Sequence, residues 1–188
     1  MRLYNNKLKY KNVSSVFVGN LGYIGPDTGC IDKSLYPFLI GYRNKICYLD
    51  ICVNLECLKN SFKVVCDIVS DRGNILLVGG DLCYVSVLLC LLRIEGFNIV
   101  VTPWDFSQIR NKLHLDLIVV HEVDCISRLE SESKYSPYIV VNGTSIKGAP
   151  YPCNVSLSNP IMNNWYLYTL VNSCRRGLYF RNKKFNEI

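Results

Sequence analysis

The residues best suited to chemistry lie where apolar runs end. His121-Glu122 and Cys125 directly follow the run that ends at Val120, and an imidazole beside a carboxylate or a thiol can hold a metal ion or act as a base. No partner cluster stands at a fixed spacing from them, and polar residues at such a place also cap a following helix. We therefore interpret them as a helix cap and predict no catalytic residue, no metal and no cofactor.

A second chemical possibility is a phosphate site at Gly79-Gly80-Asp81. These residues follow the apolar run Asn74–Val78, and glycines at such a place let the backbone approach a phosphate. Neither GxGxxG nor GxxxxGK[ST] occurs in the chain, and a tight strand-to-helix turn accounts for the two glycines equally well. A flavodoxin-like nucleotide-binding domain, or an enzyme that uses the loops at Gly79-Gly80 and His121, therefore stays the alternative function.

Basic residues form polar segments that suit an anionic partner. Arg43-Asn44-Lys45 directly precedes an apolar run, Arg110 and Lys112 lie in a second predicted loop, and Arg175 and Arg176 begin a basic C-terminal segment. Lys and Arg neutralise phosphates, and the interleaved aromatic residues can stack on unpaired bases. Ordinary solvated surface is the other interpretation, because a net charge of +6 must be placed somewhere.

Alternating apolar and amphipathic segments predict the elements that position these residues. Predicted strands are Ile46–Ile51, Asn74–Val78, Asn98–Val101, Asp116–Val120, Tyr138–Val141 and Asn154–Leu157. Predicted helices are Val53–Ser70, Leu82–Glu95, Asp124–Ser133 and Pro160–Cys174, with a short helix or loop at Phe106–Lys112 and a glycine-rich loop at Gly19–Gly29. Strands of continuous Val, Ile and Leu are typical of parallel sheets covered on both faces. The predicted fold class is therefore α/β, a three-layer parallel sheet of the flavodoxin or Rossmann kind.

Two local details refine this prediction. Gly73 is expected to take the left-handed position that ends the helix Val53–Ser70. The last helix is expected to bury an apolar face formed by Ile161, Trp165, Tyr168 and Val171.

The composition indicates one globular domain. The chain has 188 residues, of which 49% are hydrophobic and 12% aromatic, and this content excludes disorder as the main state. We predict a basic N-terminal arm at 1–19, a single α/β domain at 20–174 and a basic aromatic tail at 175–188. The stretch Ile75–Leu92 is apolar, but Gly79, Gly80 and Asp81 divide it into a strand and a helix. We therefore predict no membrane span, and a membrane-associated protein stays a further alternative.

The ten cysteines fit a reducing compartment. Most of them lie inside apolar runs, where cysteine behaves as a small hydrophobe. No CxxC pair occurs, and the spacing of Cys47, Cys52 and Cys57 matches no common zinc site. We predict reduced core cysteines.

The segment Tyr36–Ile51, YPFLIGYRNKICYLDI, is similar to the P-Y-I-x-G-x-R-N-G-I-H-I-I-D-L stretch of the small-subunit ribosomal protein S-two family. Asn20–Tyr23 resembles that family's H-L-G-H, and Gly73–Gly79 resembles its G-x-I-L-F-V-G. Three further segments resemble its L-P-D strand, its I-P-V-V-A strand and its G-N-D before the last helix: Leu115–Val120, Pro137–Val141 and Ser158–Pro160. The similarities keep the family's order from Asn20 to Cys174, nearly the whole chain.

The chain also departs from the family pattern. Asn20 and Tyr23 stand where the family has both histidines of H-L-G-H. Pro103–Ser107 is a reduced form of its R-W-x-G-G-x-L-T-N segment. The interval from Trp104 to Asp116 is too short for the helical hairpin that bacterial members insert there. The resemblance therefore implies the α/β body without that projection.

The resemblance implies a structural role in translation. Members of this family bind ribosomal RNA and neighbouring proteins of the small subunit, with no catalytic centre and no small-molecule substrate. Asparagine occurs 18 times, whereas Ala149 is the only alanine, which suits an AT-rich genome, either that of an organelle or a strongly AT-biased nuclear one. A divergent, AT-rich member of this family without the inserted hairpin implies an organellar ribosome, in a mitochondrion rather than a plastid. On this resemblance we predict RNA contacts at Arg43, Asn44, Lys45, Arg110, Lys112, Arg175 and Arg176.

Overall fold

The computed structural model describes residues 15–27, 33–78, 99–102, 115–120, 138–141, 151–153 and 160–186. Residues 15–19 form a short helix, α1. The other helices are α2 (Ile51–Ser70), α3 (Pro160–Asn186) and a 3₁₀ helix (Lys33–Phe38). The strands are β1 (Ile24–Asp27), β2 (Leu39–Arg43), β3 (Ile46–Leu49), β4 (Ile75–Val78), β5 (Ile99–Thr102), β6 (Leu117–Val120), β7 (Tyr138–Val141) and β8 (Tyr151–Cys153).

Strands β4 to β8 form a parallel sheet in the order β5-β4-β6-β7-β8. This sheet and the helices confirm the α/β class. Along β4, Ile75 and Leu77 join the main core, while Leu76, which points to the opposite face, is 0% exposed. Both faces are therefore dry, which is why the strand sequence is continuously apolar rather than alternating.

The strand predictions agree closely with the structure in the described segments. Tyr138–Val141 has the predicted bounds. Three other predicted strands differ from the observed ones by one or two residues at one end, and Asn98–Val101 differs from β5 by one residue at each end. The strand β8 lies just before the predicted Asn154–Leu157, which is outside the described residues. The predicted segments Leu82–Glu95, Phe106–Lys112 and Asp124–Ser133 also lie outside them.

The main core lies between the parallel sheet and the three α-helices. Phe17 of α1 is fully buried and meets Trp165 edge-on, with ring centroids 5.9 Å apart. The Tyr166 ring is also buried, and its centroid lies 5.5 Å from the centroid of the Phe62 ring of α2. The predicted arm 1–19 therefore contributes a residue to the core, because Phe17 belongs to the same buried cluster as the sheet residues.

Helix α2 has well-defined ends. Asp50 is its N-cap, and its carboxylate accepts hydrogen bonds from the Cys52 N–H at 2.8 Å and the Val53 N–H at 3.2 Å. At the other end the Gly73 N–H donates to the Ile68 carbonyl at 2.9 Å, and the Arg72 N–H donates to the Val69 carbonyl at 3.3 Å. This pair of bonds is a Schellman motif.

The prediction that Gly73 takes the left-handed position is wrong. Arg72 is left-handed, with φ 64°, and Gly73 is the next residue. Glycine is needed there for space, because a Cβ on Gly73 would lie 2.5 Å from the Ile68 Cγ2. Helix α1 ends in the same way, with Leu21 at φ 56° and a Cβ on Gly22 that would lie 2.8 Å from the Phe17 ring.

Helix α3 differs from its prediction in length and in its buried face. It continues beyond Cys174 to Asn186, so residues 175–186 of the predicted tail 175–188 are helical. Ile161 and Tyr168 are 58% and 66% exposed, in place of the predicted burial. The buried positions are Met162, Tyr166, Leu170, Val171, Cys174 and Gly177. The prediction is confirmed for Val171, which is buried, and Trp165 is half-buried against the core. The buried face is turned from the predicted one because α3 also packs along α2.

A second, smaller sheet was not expected from the sequence. It is antiparallel in the order β1-β3-β2. Strand β1 lies inside the predicted glycine-rich loop, where Gly25 allows a close approach: a Cβ on it would lie 2.6 Å from the Cys47 Sγ. Cys47 and Leu49 of β3 are buried, so one face of this sheet is directed into the protein.

The described cysteines include both buried and exposed thiols. Cys47, Cys66 and Cys174 are buried, whereas Cys52 is exposed. Burial raises the pKa of Cys66, as does the Asp67 carboxylate, while the Arg176 guanidinium acts in the opposite direction. Burial and the Glu56 carboxylate raise the pKa of Cys57. In both groups these effects favour the thiol over the reactive thiolate.

Within the described ranges, none of the helices combines the length and the apolar character that a bilayer crossing requires. The predicted helix in Ile75–Leu92 lies outside those ranges, and its strand is β4.

Helices α2 and α3 approach each other closely at Gly177, and we expect this contact to tolerate no side chain. A Cβ there would lie 2.5 Å from the Cys66 carbonyl oxygen and 2.8 Å from the Val69 Cβ. The substitution Gly177→Ala should lower the free energy of unfolding in urea by about 1–3 kcal/mol, because the helices must move apart. Gly19→Ala is the matched control, since a Cβ at Gly19 meets nothing within 4 Å. Equal stability of the two variants would contradict this packing.

Candidate nucleic-acid interface

The predicted residues Arg43, Asn44 and Lys45 lie together at the tip of a β-hairpin. Arg43 pairs with Ile46 across the β2–β3 ladder, so Asn44 and Lys45 are the two residues of the turn. Their φ angles are 52° and 65°, and positive φ at both positions defines a type I′ turn. All three side chains are exposed. The hairpin therefore presents two cations and an amide to solvent.

Aromatic rings lie on the same sheet as these cations. Tyr48 of β3 is half-buried and stacks on Tyr23, with centroids 6.2 Å apart and ring planes 19° apart. Tyr48 and Arg43 share the outer face of the sheet. Arg43 pairs with Ile46 across the ladder, and Ile46 lies two residues from Tyr48 on β3, so all three side chains lie on the same face. Cys47 and Leu49 occupy the opposite, buried face. The outer face thus combines a guanidinium with a π-stacked pair.

All charged side chains of the hairpin segment, Lys33 to Leu49, are positive. Lys33, Arg43 and Lys45 are its cations, and no Asp or Glu occurs from Lys33 to Leu49. Large apolar side chains are exposed beside them: Tyr36, Ile40 and Tyr42 are 50%, 71% and 58% exposed. Cations beside exposed aromatic rings are the groups that bind phosphates and unpaired bases.

Arg175 and Arg176 lie on a different element, the second half of α3, and both are exposed. The Arg176 guanidinium lies 5.5 Å from the centre of the Phe180 ring, which is a cation–π contact. No Asp or Glu occurs in the whole of α3. This surface is a second basic segment that suits an anionic partner. The remaining predicted residues, Arg110 and Lys112, lie outside the described residues.

The residues on which the alternative function depends are not among those that the structure describes. Gly79-Gly80, His121-Glu122 and Cys125 all lie outside the described residues. Among the side chains that the structure describes, no three from His, Cys, Asp and Glu are grouped so that they could hold a metal ion.

Three residues of the outer face were not predicted as site residues from the sequence: Tyr23, Gly41 and Tyr48. The signal that could have found them is the turn itself. A two-residue Asn-Lys turn fixes the register of the hairpin, and counting back from it places Gly41 opposite Tyr48. The polar residues before Ile46 predict a loop rather than a paired strand, which hides this register.

We expect Lys45 to oppose stability at the turn. A left-handed conformation costs an L-residue about 1–2 kcal/mol relative to glycine, and part of that cost is offset by the greater freedom of glycine in the unfolded chain. Lys45→Gly should therefore raise the free energy of unfolding by up to about 1 kcal/mol while removing one cation. Urea unfolding monitored by circular dichroism measures the change.

The control for this substitution is Lys45→Ala, which removes the same charge but keeps a Cβ. It should give no gain in stability. A Lys45→Gly variant that is no more stable than Lys45→Ala would contradict the type I′ turn.

Comparison with known proteins assigns no family to this geometry. No protein family model matches the chain, and no curated protein matches it at a significant level. The chain's own residues therefore carry the functional proposal.

Proposed function

We propose that this chain is a structural component of the small subunit of an organellar ribosome, where it binds ribosomal RNA and neighbouring ribosomal proteins and catalyses no reaction. The observation that carries the proposal is the hairpin. The segment Tyr36–Ile51, in which the resemblance to ribosomal protein S-two is longest, forms an exposed basic turn with the exposed rings of Tyr36 and Tyr42 nearby in sequence.

The strand order supports a flavodoxin-like body for this component. Numbered within the parallel sheet, the order β5-β4-β6-β7-β8 is 2-1-3-4-5, which is the flavodoxin order. Burial of Leu76 and Ile118 on one face and of Leu77 and Val119 on the other fits a sheet covered on both sides. We propose a three-layer body of this kind, without the helical hairpin of bacterial members of the family.

The energetics of the turn support a binding role at its tip. Asn44 and Lys45 hold left-handed conformations in which glycine would be more stable at the second position. Retaining a cation at a strained position costs folding stability, and such local conflicts are typical of functional sites. Arg43 on the adjoining strand adds a second phosphate-binding group within the same tip.

The composition supports the organelle. Asn and Tyr occur 18 and 13 times, while Ala149 and Gln108 are the only residues of their types. Since folding gives no reason to avoid alanine, which favours helices more than any other residue, the bias reflects AT-rich coding. We propose a mitochondrial ribosome, in the matrix.

The decisive variant is the double charge reversal Arg43→Glu/Lys45→Glu. Ribosomal RNA contacts made by two cations depend on salt, because each neutralised phosphate releases counterions. In gradient sedimentation of organelle lysate, the native chain should migrate with the small subunit, and the variant should be lost from it at a lower salt concentration. Ribonuclease digestion should release both.

The matched control is Lys59→Glu/Lys63→Glu, which changes the net charge equally on the exposed side of α2. This control should sediment like the native chain. Incorporation of the Arg43→Glu/Lys45→Glu variant at the same salt concentrations as the control would remove the hairpin from the RNA contact. A native chain that stays at the top of the gradient at low salt would contradict the ribosomal role itself.

A further inference from the structure

The outer face of the small sheet has an open position beside the Tyr48 ring. Tyr23 covers one side of the ring by stacking on it. The ladder partner of Tyr48 on β2 is Gly41, which brings no side chain, and a Cβ built at Gly41 meets nothing within 4 Å. A gap the width of one side chain therefore adjoins a stacked pair of tyrosines.

The charges around this gap are suited to a polyanion. Arg43 lies two residues from Gly41 on the same strand, so its side chain stands on the same face of the sheet. Lys45 follows at the turn, and both cations are exposed. The segment from Lys33 to Leu49 contains no carboxylate side chain. The acidic residue of the small sheet is Asp27 of β1, which pairs with Ile46, so strand β3 separates it from Arg43.

We propose that this face binds an unpaired RNA segment by stacking one base on the Tyr23–Tyr48 pair, in the open position at Gly41. Arg43 and Lys45 contact the phosphates that flank this base. The inference rests on the proposed function and deepens it, because it names single-stranded RNA, rather than a duplex, as the partner of the small sheet.

The geometry favours an unpaired base for a simple reason. In an RNA duplex both faces of each base are already stacked on neighbouring bases, so no face is free for Tyr48. Only a loop, a bulge or an end offers a base that can be splayed out and stacked on an aromatic ring. Cations alone bind either form of RNA, whereas a stacking position distinguishes them.

The test measures fluorescence anisotropy of two labelled probes with the purified full-length chain. One probe is a twelve-nucleotide oligouridine, and the other is a twelve-base-pair RNA duplex. The native chain should bind the oligouridine more tightly than the duplex at the same salt concentration. Duplex binding that is equal or tighter would overturn the proposal, because it would show attraction by charge alone.

Two variants locate the binding to this face. Gly41→Val fills the open position with a residue that suits a strand, and the backbone of Gly41 is not left-handed. Tyr48→Leu keeps the bulk of the side chain but removes the π face. Each variant should weaken oligouridine binding about tenfold, within the range expected for loss of one stacked base, and should leave duplex binding unchanged.

The matched control is Tyr168→Leu, which removes an exposed aromatic ring from α3 and should bind oligouridine like the native chain. Thermal unfolding should show that Gly41→Val remains folded, since space for the side chain is present. Native-like oligouridine binding by folded Gly41→Val would overturn the proposal, as would an equal loss in Tyr168→Leu.

The two proposals fail in different ways. If the native chain sediments with the small subunit but Gly41→Val and Tyr48→Leu bind oligouridine normally, the ribosomal role stands and the stacking site is overturned. If the chain does not sediment with the subunit but shows the predicted variant pattern, the stacking site stands and the ribosomal role is overturned.

Discussion

The two-residue turn between β2 and β3 is the constraint on which the small sheet depends. Its length fixes the register from Arg43 to Gly41, whose partners on β3 are Ile46 to Tyr48. Beyond Gly41 an irregularity shifts the register by one residue, so that Leu39 pairs with Leu49. A slip of one residue would turn the buried Cys47 and Leu49 outward and bring Tyr48 into the interior. The register also determines where β3 ends, at Leu49, directly before the residue that caps α2.

The turn is joined to the α/β body through Asp50. The Asp50 N–H donates to the Phe38 carbonyl at 2.8 Å, and the Asp50 carboxylate caps α2. The buried Asn54 amide donates to the Asp50 carbonyl at 2.7 Å and to the Phe38 carbonyl at 3.4 Å. These bonds fasten the small sheet to the first turn of a long core helix. A hairpin held in this way presents its cations from a rigid base, which lowers the entropy that binding must overcome.

The fold was predictable wherever burial alone determined the pattern. Continuous Val, Ile and Leu identified β4 and β6, since both of their faces are dry, and the spacing of Leu58, Val65 and Val69 identified α2. Prediction failed where an unseen neighbour decided the outcome. The buried side of α3 is set by packing on α2 and by the close contact at Gly177, and neither is visible in the helix's own sequence. At the end of α2 the left-handed residue is Arg72. Gly73 is needed beside it for its small size, because Ile68 leaves no space for a Cβ there.

The candidate site was predictable in its charges but not in its shape. Arg43 and Lys45 could be selected as exposed cations, and the structure places both at one tip. Gly41 and Tyr48 have no meaning as a pair until the hairpin register is known, since they are seven positions apart in sequence. Strand β2 also lacks a clear alternating pattern, because Ile40 lies at the register shift between Leu39 and Gly41 and Tyr42 is exposed on an edge strand.

The most direct test of the central claim is ultraviolet crosslinking of small subunits purified from the organelle, followed by mass spectrometry of this chain's peptides. The account predicts that nucleotides are attached within 36–49, with Tyr48 among the modified residues. Crosslinks found only in other segments of the chain, with the hairpin peptide recovered unmodified, would contradict the claim that this hairpin binds ribosomal RNA.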